Sequence, residues 1–446
     1  EDPRPRKSGK SRKGGQAGTP DKPAKPTKAP GLKARDERRR QGSLAGTVET
    51  TVEALPTPAP SPVKETSAPA SRRRKFAESP ALPEAVTDRP ALYLQADPSL
   101  EQRVHAWLDV LVYVWRRRKI GERARFIRNA HLKEDEIALL GPAIQQLSRG
   151  FTGHRNLVGK TYLDDPDLLG AYLLFYWPVS YAQAWTVLQD LVRRHGAPVL
   201  GRVLDLGSGP GPLSCALIDL AASLGTIAGP TKSKSGQKPT AVLDGMIRVT
   251  ALDHAPAALE LLREIAGTAY GPEFLAGGGI STVVWNAQSQ AGGLPVQGQF
   301  DCVAAGHVLN ELWAGMAPAA AQNKRATLLA SAMKVLGRPE RPAGETAGNT
   351  GLPPFLMVLE PALKPTTRAL LALRDQLLAG GQATVLGPCL FQGACPALAS
   401  AEGTCHGQVF WELPGMLRRL ANVARVSKDE LAMAWLAVSG SGATAP

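Results

Sequence analysis

Cysteine is scarce in this chain: five in 446 residues, too few for a disulfide scaffold. No run of 18 apolar residues occurs, which excludes a transmembrane helix. The first residues hold no apolar signal core, and a transit peptide is argued against by Asp2, Asp21, Asp36 and Glu37. Acidic residues are outnumbered, 39 against 52 Lys and Arg, for a net charge of +13. The excess is local. Residues 1–90 hold 20 Lys and Arg against 11 Asp and Glu, so the other 356 residues carry only +4. The folded surface is therefore not strongly basic, and the tail is.

That tail is rich in Pro, Ala, Ser, Lys and Arg, with almost no aromatic residues. It cannot bury enough apolar area to offset its ordering entropy, so residues 1–90 are expected to be disordered. Its clusters Arg38-Arg39-Arg40 and Arg72-Arg73-Arg74-Lys75 suit phosphate backbones, and a solubilising tail is the plainer reading. Residues 91–195 turn helical. Leu100, Val104, Leu108, Leu111, Val112 and Trp115 keep one stripe, and Arg116–Lys119 close that helix where its dipole favours cations. The aromatic stretch Ala171–Trp177 predicts a helix stopped by Pro178.

From 196 to 386 the pattern alternates strand and helix, which predicts a doubly wound, mostly parallel α/β sheet. Strands are expected at 202–206, 247–252, 282–285, 300–305 and 355–359, with helices at 212–224, 256–266, 322–336 and 366–379. Residues 225–244 read as a flexible insertion. Residues 412–440 complete this domain with a helix and a closing edge strand near 431–438.

The chemistry gathers at the strand ends. Val203-Leu204-Asp205-Leu206-Gly207-Ser208-Gly209-Pro210-Gly211 places three glycines directly after an apolar strand. Glycine lets the backbone turn sharply and approach a ligand, and the next helix presents its first N–H groups. A nicotinamide dinucleotide site needs Gly at the sixth position, where this chain has Pro212. The pattern is similar instead to the first motif of class I S-adenosylmethionine (SAM) methyltransferases, with Asp205 through Gly211 as cofactor loop. The second strand ends in Asp253, suited to ribose hydroxyls; its 48-residue distance from Asp205 exceeds the usual ~20 because of the insertion. Asn286 is a candidate neighbour of the adenine. The fourth strand runs into Gly306-His307-Val308-Leu309-Asn310-Glu311-Leu312, making His307, Asn310 and Glu311 the candidate catalytic groups. Neither an Asn-Pro-Pro-Tyr loop nor a Pro-Cys nucleophile is present there. Glu360 ends the next strand and reads as a capping carboxylate facing the crevice. Cys389, Cys395 and Cys405 crowd into residues 387–411, a Gly/Pro-rich loop where thiolates suit zinc or an iron–sulfur cluster.

Ser148-Arg149-Gly150-Phe151, Ala171-Tyr172, the Gly loop, the His307–Leu312 segment, Leu359-Glu360-Pro361 and the Cys-Pro loop follow one another in that order. Together, over about 95–440, they resemble the mitochondrial/bacterial methyltransferase-like family that acts on the small ribosomal subunit. The resemblance implies a Rossmann-like class I methyltransferase fold, SAM binding, a role in small-subunit maturation on rRNA and, in some members, a four-cysteine [4Fe–4S] cluster. Cys389, Cys395 and Cys405 match three of those cysteines, and none follows 405. Zinc is the alternative metal. The resemblance further implies a monomer with no membrane partner, in the cytoplasm of a bacterium or in the mitochondrial matrix. Its rivals are a non-catalytic assembly factor and a small-molecule methyltransferase.

Overall fold

A computed structural model describes residues 91–93, 97–127, 131–153, 163, 165–224, 247–289, 293–337, 351–381 and 383–440. The basic tail and the 225–244 insertion lie outside the described residues. The chain opens with β1 (Ala91–Tyr93), α1 (Leu100–Ile120), α2 (Glu134–Ser148), α3 (Pro166–Ala171) and α4 (Trp177–His195). Then come β2 (Arg202–Leu206), α5 (Pro212–Leu224), β3 (Arg248–Asp253), α6 (Pro256–Tyr270), α7 (Pro272–Ala276), β4 (Ile280–Val284), β5 (Cys302–Gly306) and α8 (Pro318–Lys334). The remainder is β6 (Phe355–Pro361), α9 (Lys364–Ala379), β7 (Ala383–Gly387), β8 (His406–Phe410), α10 (Gly415–Ala424) and β9 (Glu430–Gly440).

The sheet runs β1-β8-β9-β6-β5-β2-β3-β4, with β7 also paired to β9. Strands β2 to β6 are parallel, and β9 is antiparallel to β6, β7 and β8. The order reverses at β2, which pairs β3 on one side and β5 on the other, so a crevice opens at its carboxyl end. This is the α/β Rossmann-like arrangement of the class I methyltransferases. Period-2 alternation builds two cores. Val203, Ala251, Cys302, Ala304, Met357 and Trp435 face the helices α1, α4, α5, α6 and α10. Leu204, Leu252, Val303, Leu356 and Leu436 face α8 and α9.

The helical segment shares the first core with the sheet. Asp219 of α5 is the knot: it accepts hydrogen bonds from Trp107 Nε1 of α1 at 2.9 Å, Tyr181 OH of α4 at 2.6 Å and Tyr270 OH of α6 at 2.9 Å. Arg116, buried within α1, binds both oxygens of Glu136 at 3.0 and 2.7 Å, while Arg117, Arg118 and Lys119 supply the cationic last turn.

Three expectations need correction. Pro178 does not stop a helix. Tyr172–Tyr176 forms a π turn in which the Trp177 N–H bonds Tyr172 O, and α4 starts there with Pro178 in its first turn, where a missing N–H costs little. The strand at 430–440 is no edge: β9 lies between β6 and the pair β7 and β8, which explains its nearly unbroken burial. Residues 387–411 are not all loop, since His406–Phe410 is β8, paired in parallel with β1. Among the described residues no helix is long and apolar enough to cross a membrane.

Candidate functional site

The Gly loop leaves β2 at the point where the sheet order reverses. Gly207, Gly209 and Gly211 have φ of 67°, 52° and 80°, a left-handed region that other residues enter at a cost. The N–H groups of Gly207 and Ser208 both donate to Leu252 O, at 2.8 and 3.0 Å, which folds the loop over the end of β3. A side chain at Gly207 would collide with Val308, and one at Gly211 with Leu262. At Gly209 a Cβ meets nothing within 4 Å, so the loop presents its open backbone there. That open backbone, with Gly209 N held by Asp253, leaves room for the methionine end of SAM.

Asp253 closes the loop from the neighbouring strand. Its Oδ2 accepts from Gly209 N at 2.9 Å and its Oδ1 from Ala255 N at 2.8 Å. The carboxylate thus shapes the loop and starts α6 at once. Asn286 follows β4, where the Trp285 N–H donates to Asp253 O; its own Oδ1 accepts from Gln288 N at 2.9 Å. Gln288 Oε1 in turn accepts from Trp313 N at 2.9 Å, linking that turn to the opposite wall. Ser208 and Pro210 are buried within the loop.

Asp205 stands apart from this group. It is buried under the start of α5, where Ser214 Oγ donates to its Oδ2 at 2.6 Å. Burial pushes its carboxyl up to about 7.

The opposite wall is the turn after β5. His307 has φ 57°, and its N–H donates to Leu359 O at 2.6 Å. Its Nε2 lies 3.1 Å from Gln183 Oε1, while Gln183 Nε2 donates to Ala432 O at 3.0 Å. With that amide orientation His307 carries its proton on Nε2. Burial, helped by Lys428, pushes His307 down to about 4, so it is neutral at pH 7. Asn310 Nδ2 donates to His307 O at 3.1 Å, fixing the turn. Glu360 holds it from below: its Oε1 accepts from Leu309 N at 2.8 Å and Asn310 N at 3.4 Å. Burial, with Glu311 nearby, pushes Glu360 up to about 7.

The helical segment supplies three further groups, of which only Tyr172 lay in a quoted motif. Trp177 Nε1 donates to Pro210 O at 3.0 Å, pinning the Gly loop to α4. Gln183 orients His307. Tyr172, in the π turn, stands near enough to Glu311, Asp253 and Asp205 for their charges to add to burial in raising its phenol. An aromatic residue adjoining Pro and a Gln inside a helix carry no sequence signal of their own. The π turn that re-aims Tyr172 has none either.

The cysteine loop is organised by arginines. Arg374, buried in α9, donates to the carbonyls of Phe391 and Gly393, and Arg368 donates to those of Ala397, Ser400 and Gly403. Asp375 Oδ2 accepts from Cys395 N at 2.9 Å. Cys389 is exposed, Cys395 and Cys405 half-buried, and burial followed by the other two thiols pushes Cys405 up. Among the described residues no group of three or more His, Cys, Asp and Glu side chains is arranged to hold a metal. As placed, Cys389, Cys395 and Cys405 do not form such a group among the described residues, and an iron–sulfur cluster would need a fourth donor beside them.

The raised carboxylates make a pH prediction. Folded, Asp205 and Glu360 keep a proton up to about 7 that the unfolded chain gives up near 4 to 4.5. The folded state binds more protons across that window, so stability falls as pH rises through it. His307 has the opposite sign, but only between its folded value of about 4 and its ordinary 6.5. His254, raised by its bond to Asp253, adds to the fall above 6.5. The melting temperature is expected to drop between pH 6.5 and 8, and Asp205→Asn with Glu360→Gln should flatten that slope. A melting temperature that climbs over this range in the parent protein contradicts the assignment.

No protein-family model matches the chain, and no curated protein matches it. Solved structures give weak likeness. It is similar to magnesium protoporphyrin IX methyltransferase (ChlM) from Synechocystis PCC 6803 at 13% identity, over 70% of this chain and 98% of that one, with a TM-score of 0.30. It is similar to the plantazolicin methyltransferase BpumL at 8% identity, over 76% and 98%, with a TM-score of 0.31. To TrmN from Thermus thermophilus the identity is 16%, over 58% and 52%, with a TM-score of 0.25. Scores this low carry no argument about activity; the fold rests on strand order and the loop geometry.

Proposed function

We propose that this chain binds SAM and acts as a methyltransferase-like factor on the RNA of the small ribosomal subunit during its maturation. The observation that carries the cofactor half is the Gly loop: three left-handed glycines at the sheet's reversal point, with Asp253 Oδ2 on Gly209 N and open space at the Gly209 Cβ position. When bound, SAM supplies an electrophilic methyl group. The protein's part is then alignment and exclusion of water, an effect worth several orders of magnitude in rate by itself. The His307 turn faces the Gly loop through Val308. His307 holds its Nε2 proton toward Gln183, which leaves Nδ1 as an acceptor for a donor on the substrate. Asn310 and Glu311 flank that position. The ribosomal half rests on the motif order set out above and on the basic tail.

One observation favours the non-catalytic rival. The turn is held internally by Gln183, Glu360 and Asn310, and a His pushed down to about 4 is a poor general base at pH 7. An assembly factor that uses SAM to fix its shape needs nothing more.

RNA binding tests the ribosomal half. Crosslinks from the full chain should concentrate on small-subunit rRNA, and crosslinks spread over unrelated RNAs count against the reading. Deleting residues 1–90 removes the seven cations of the two clusters. The salt dependence of binding should then flatten, by up to about 5 in log–log slope on single-stranded RNA. An identical slope without the tail makes it a solubiliser.

A further inference from the structure

The crossover from β4 to β5 breaks the pattern of the sheet. Parallel strands are usually joined through a helix that covers one face. Residues 285–301 contain no helix among the described residues. Leu294 and Val296 of this segment pack on the core that holds Leu204 and Leu252. The opening half of β3 and β4 stays bare on that face. Arg248 and Ser281 are exposed and Thr250 is half-buried there, while Leu204 and Leu252 are buried. Along one face the sequence thus changes from Leu and Val at the covered end to Arg, Thr and Ser at the bare end.

Register puts the bare residues side by side. Arg202 pairs with Arg248 and Thr250 with Ser281, and residues two apart along a strand share a face. All four line one cavity of about 470 Å³, with Phe300 in its wall. The Arg202 guanidinium lies 5.0 Å from the Phe300 ring, and its Nη2 donates to Gln297 O at 3.2 Å. Those contacts hold its plane and leave its other N–H groups for a ligand. Gly298, at φ 82°, lets the chain pass this close, since a Cβ there would collide with the Arg202 guanidinium. No acidic side chain among the described residues pairs with either arginine. Asp301 Oδ2 accepts from the Arg202 backbone N–H instead, at 2.9 Å. Like charges directly opposite on neighbouring strands repel, so the pair calls for an anion from outside.

We infer that this bare face holds a phosphate group of an RNA backbone. Planar guanidinium forks match phosphate oxygens with paired N–H bonds, and the Thr250 and Ser281 hydroxyls add donors beside them. The contact reads no base. Phe300 is 2% exposed under Arg202, so it offers no open ring for stacking. Arg202 and Arg248 open β2 and β3, whereas the Gly loop leaves the other end of β2. Five strand residues at about 3.3 Å each put roughly 15 Å between the two places. RNA anchored here leaves the cofactor crevice free. The choice of a phosphate stands on the arginine pair; the choice of RNA as its carrier rests on the ribosomal reading above.

Arginine footprinting with phenylglyoxal on the full chain, read residue by residue by mass spectrometry, tests this. Single-stranded RNA at about ten times its Kd should slow modification of Arg202 and Arg248 about tenfold. Arg123, exposed just after α1, which covers the opposite face, should keep its free rate. Inorganic tripolyphosphate should protect the same two arginines. Arg248→Ala should lower the salt slope of RNA binding by about 0.7, equally for oligomers of U and of A. It should melt no lower than the parent, since a repulsion is removed. Equal protection of Arg123 would reduce the contact to general charge attraction and overturn the site. If RNA binds while Arg202 and Arg248 react at their free rates, the site falls and the ribosomal reading stands. If the full chain binds no RNA, RNA as carrier and the ribosomal reading fail together, and protection by tripolyphosphate still supports a phosphate site. No protection by either ligand overturns it.

Discussion

Gly209→Val yields a folded protein that has lost SAM binding, by more than about 100-fold or 2.8 kcal/mol. Two effects act at this position and they separate cleanly. A residue with a Cβ at φ 52° costs about 1–2 kcal/mol, more for a β-branched side chain. That cost alone is bearable for a domain with a core this extensive. The second effect is occupancy. Because no protein atom lies within 4 Å of the Cβ position, the valine starts into open space, the space the ligand needs. Gly209→Ala should fall between, with a smaller affinity loss at a similar backbone cost. Gly207→Val and Gly211→Val should behave differently, since their side chains collide with Val308 and Leu262 and destabilise the fold itself. Calorimetric titration paired with thermal melting distinguishes the two classes. A folded Gly209→Val protein with unchanged affinity would remove the Gly loop from the cofactor site.

Asp219→Ala carries the largest expected loss of stability, about 3–5 kcal/mol, because it orphans three buried donors at once. Trp107, Tyr181 and Tyr270 are 5%, 0% and 8% exposed, so water cannot replace the lost acceptor. Burial raises the Asp219 carboxyl despite the three donors, so its charge adds no net stability, and the cost arises from the donors left behind. Asp219→Asn keeps an acceptor oxygen and should lose less than half as much. The network joins α1, α4, α5 and α6, and α4 holds the Gly loop through Trp177 and Pro210. The variant should therefore weaken SAM binding as well. Chemical denaturation that shows Asp219→Ala as stable as the parent would contradict this.

The parallel part of the fold was legible because each strand is a short apolar run followed by a helix signal. Pro212, Pro256 and the Gly loop marked turns that the structure reproduces within a few residues. What the sequence hid was pairing partner and orientation. An apolar run such as Leu431–Val438 reads the same whether it lies at an edge or between neighbours. Only the β7 and β8 strands beside it, too short and too mixed to stand out, make β9 internal. Pro178 misled for a related reason: proline lacks one N–H donor, and in the first turn of α4, directly after the π turn, that donor is not needed.

At the site, backbone-driven features were visible and side-chain partnerships were not. Glycines with positive φ announce themselves, as does the acid ending the next strand. Asp205 and Asp253 look alike in the chain, yet one is buried on Ser214 and the other touches the loop. Gln183 and Trp177 reach the site from 124 and 33 residues away in sequence from the groups they meet, and no spacing rule connects them. The cysteine cluster shows the converse. Three thiols within 17 residues suggested a metal, while the loop is held by Arg368 and Arg374 through backbone carbonyls.

The central claim is that the crevice at the end of β2 is a SAM site. Photo-crosslinking of methyl-labelled SAM to the full chain, followed by peptide mapping, tests it most directly. Label should appear in peptides spanning 203–211, 253–288 or 307–313, and excess S-adenosylhomocysteine should suppress it. Absence of specific label, or label confined to segments away from that crevice, would contradict the account.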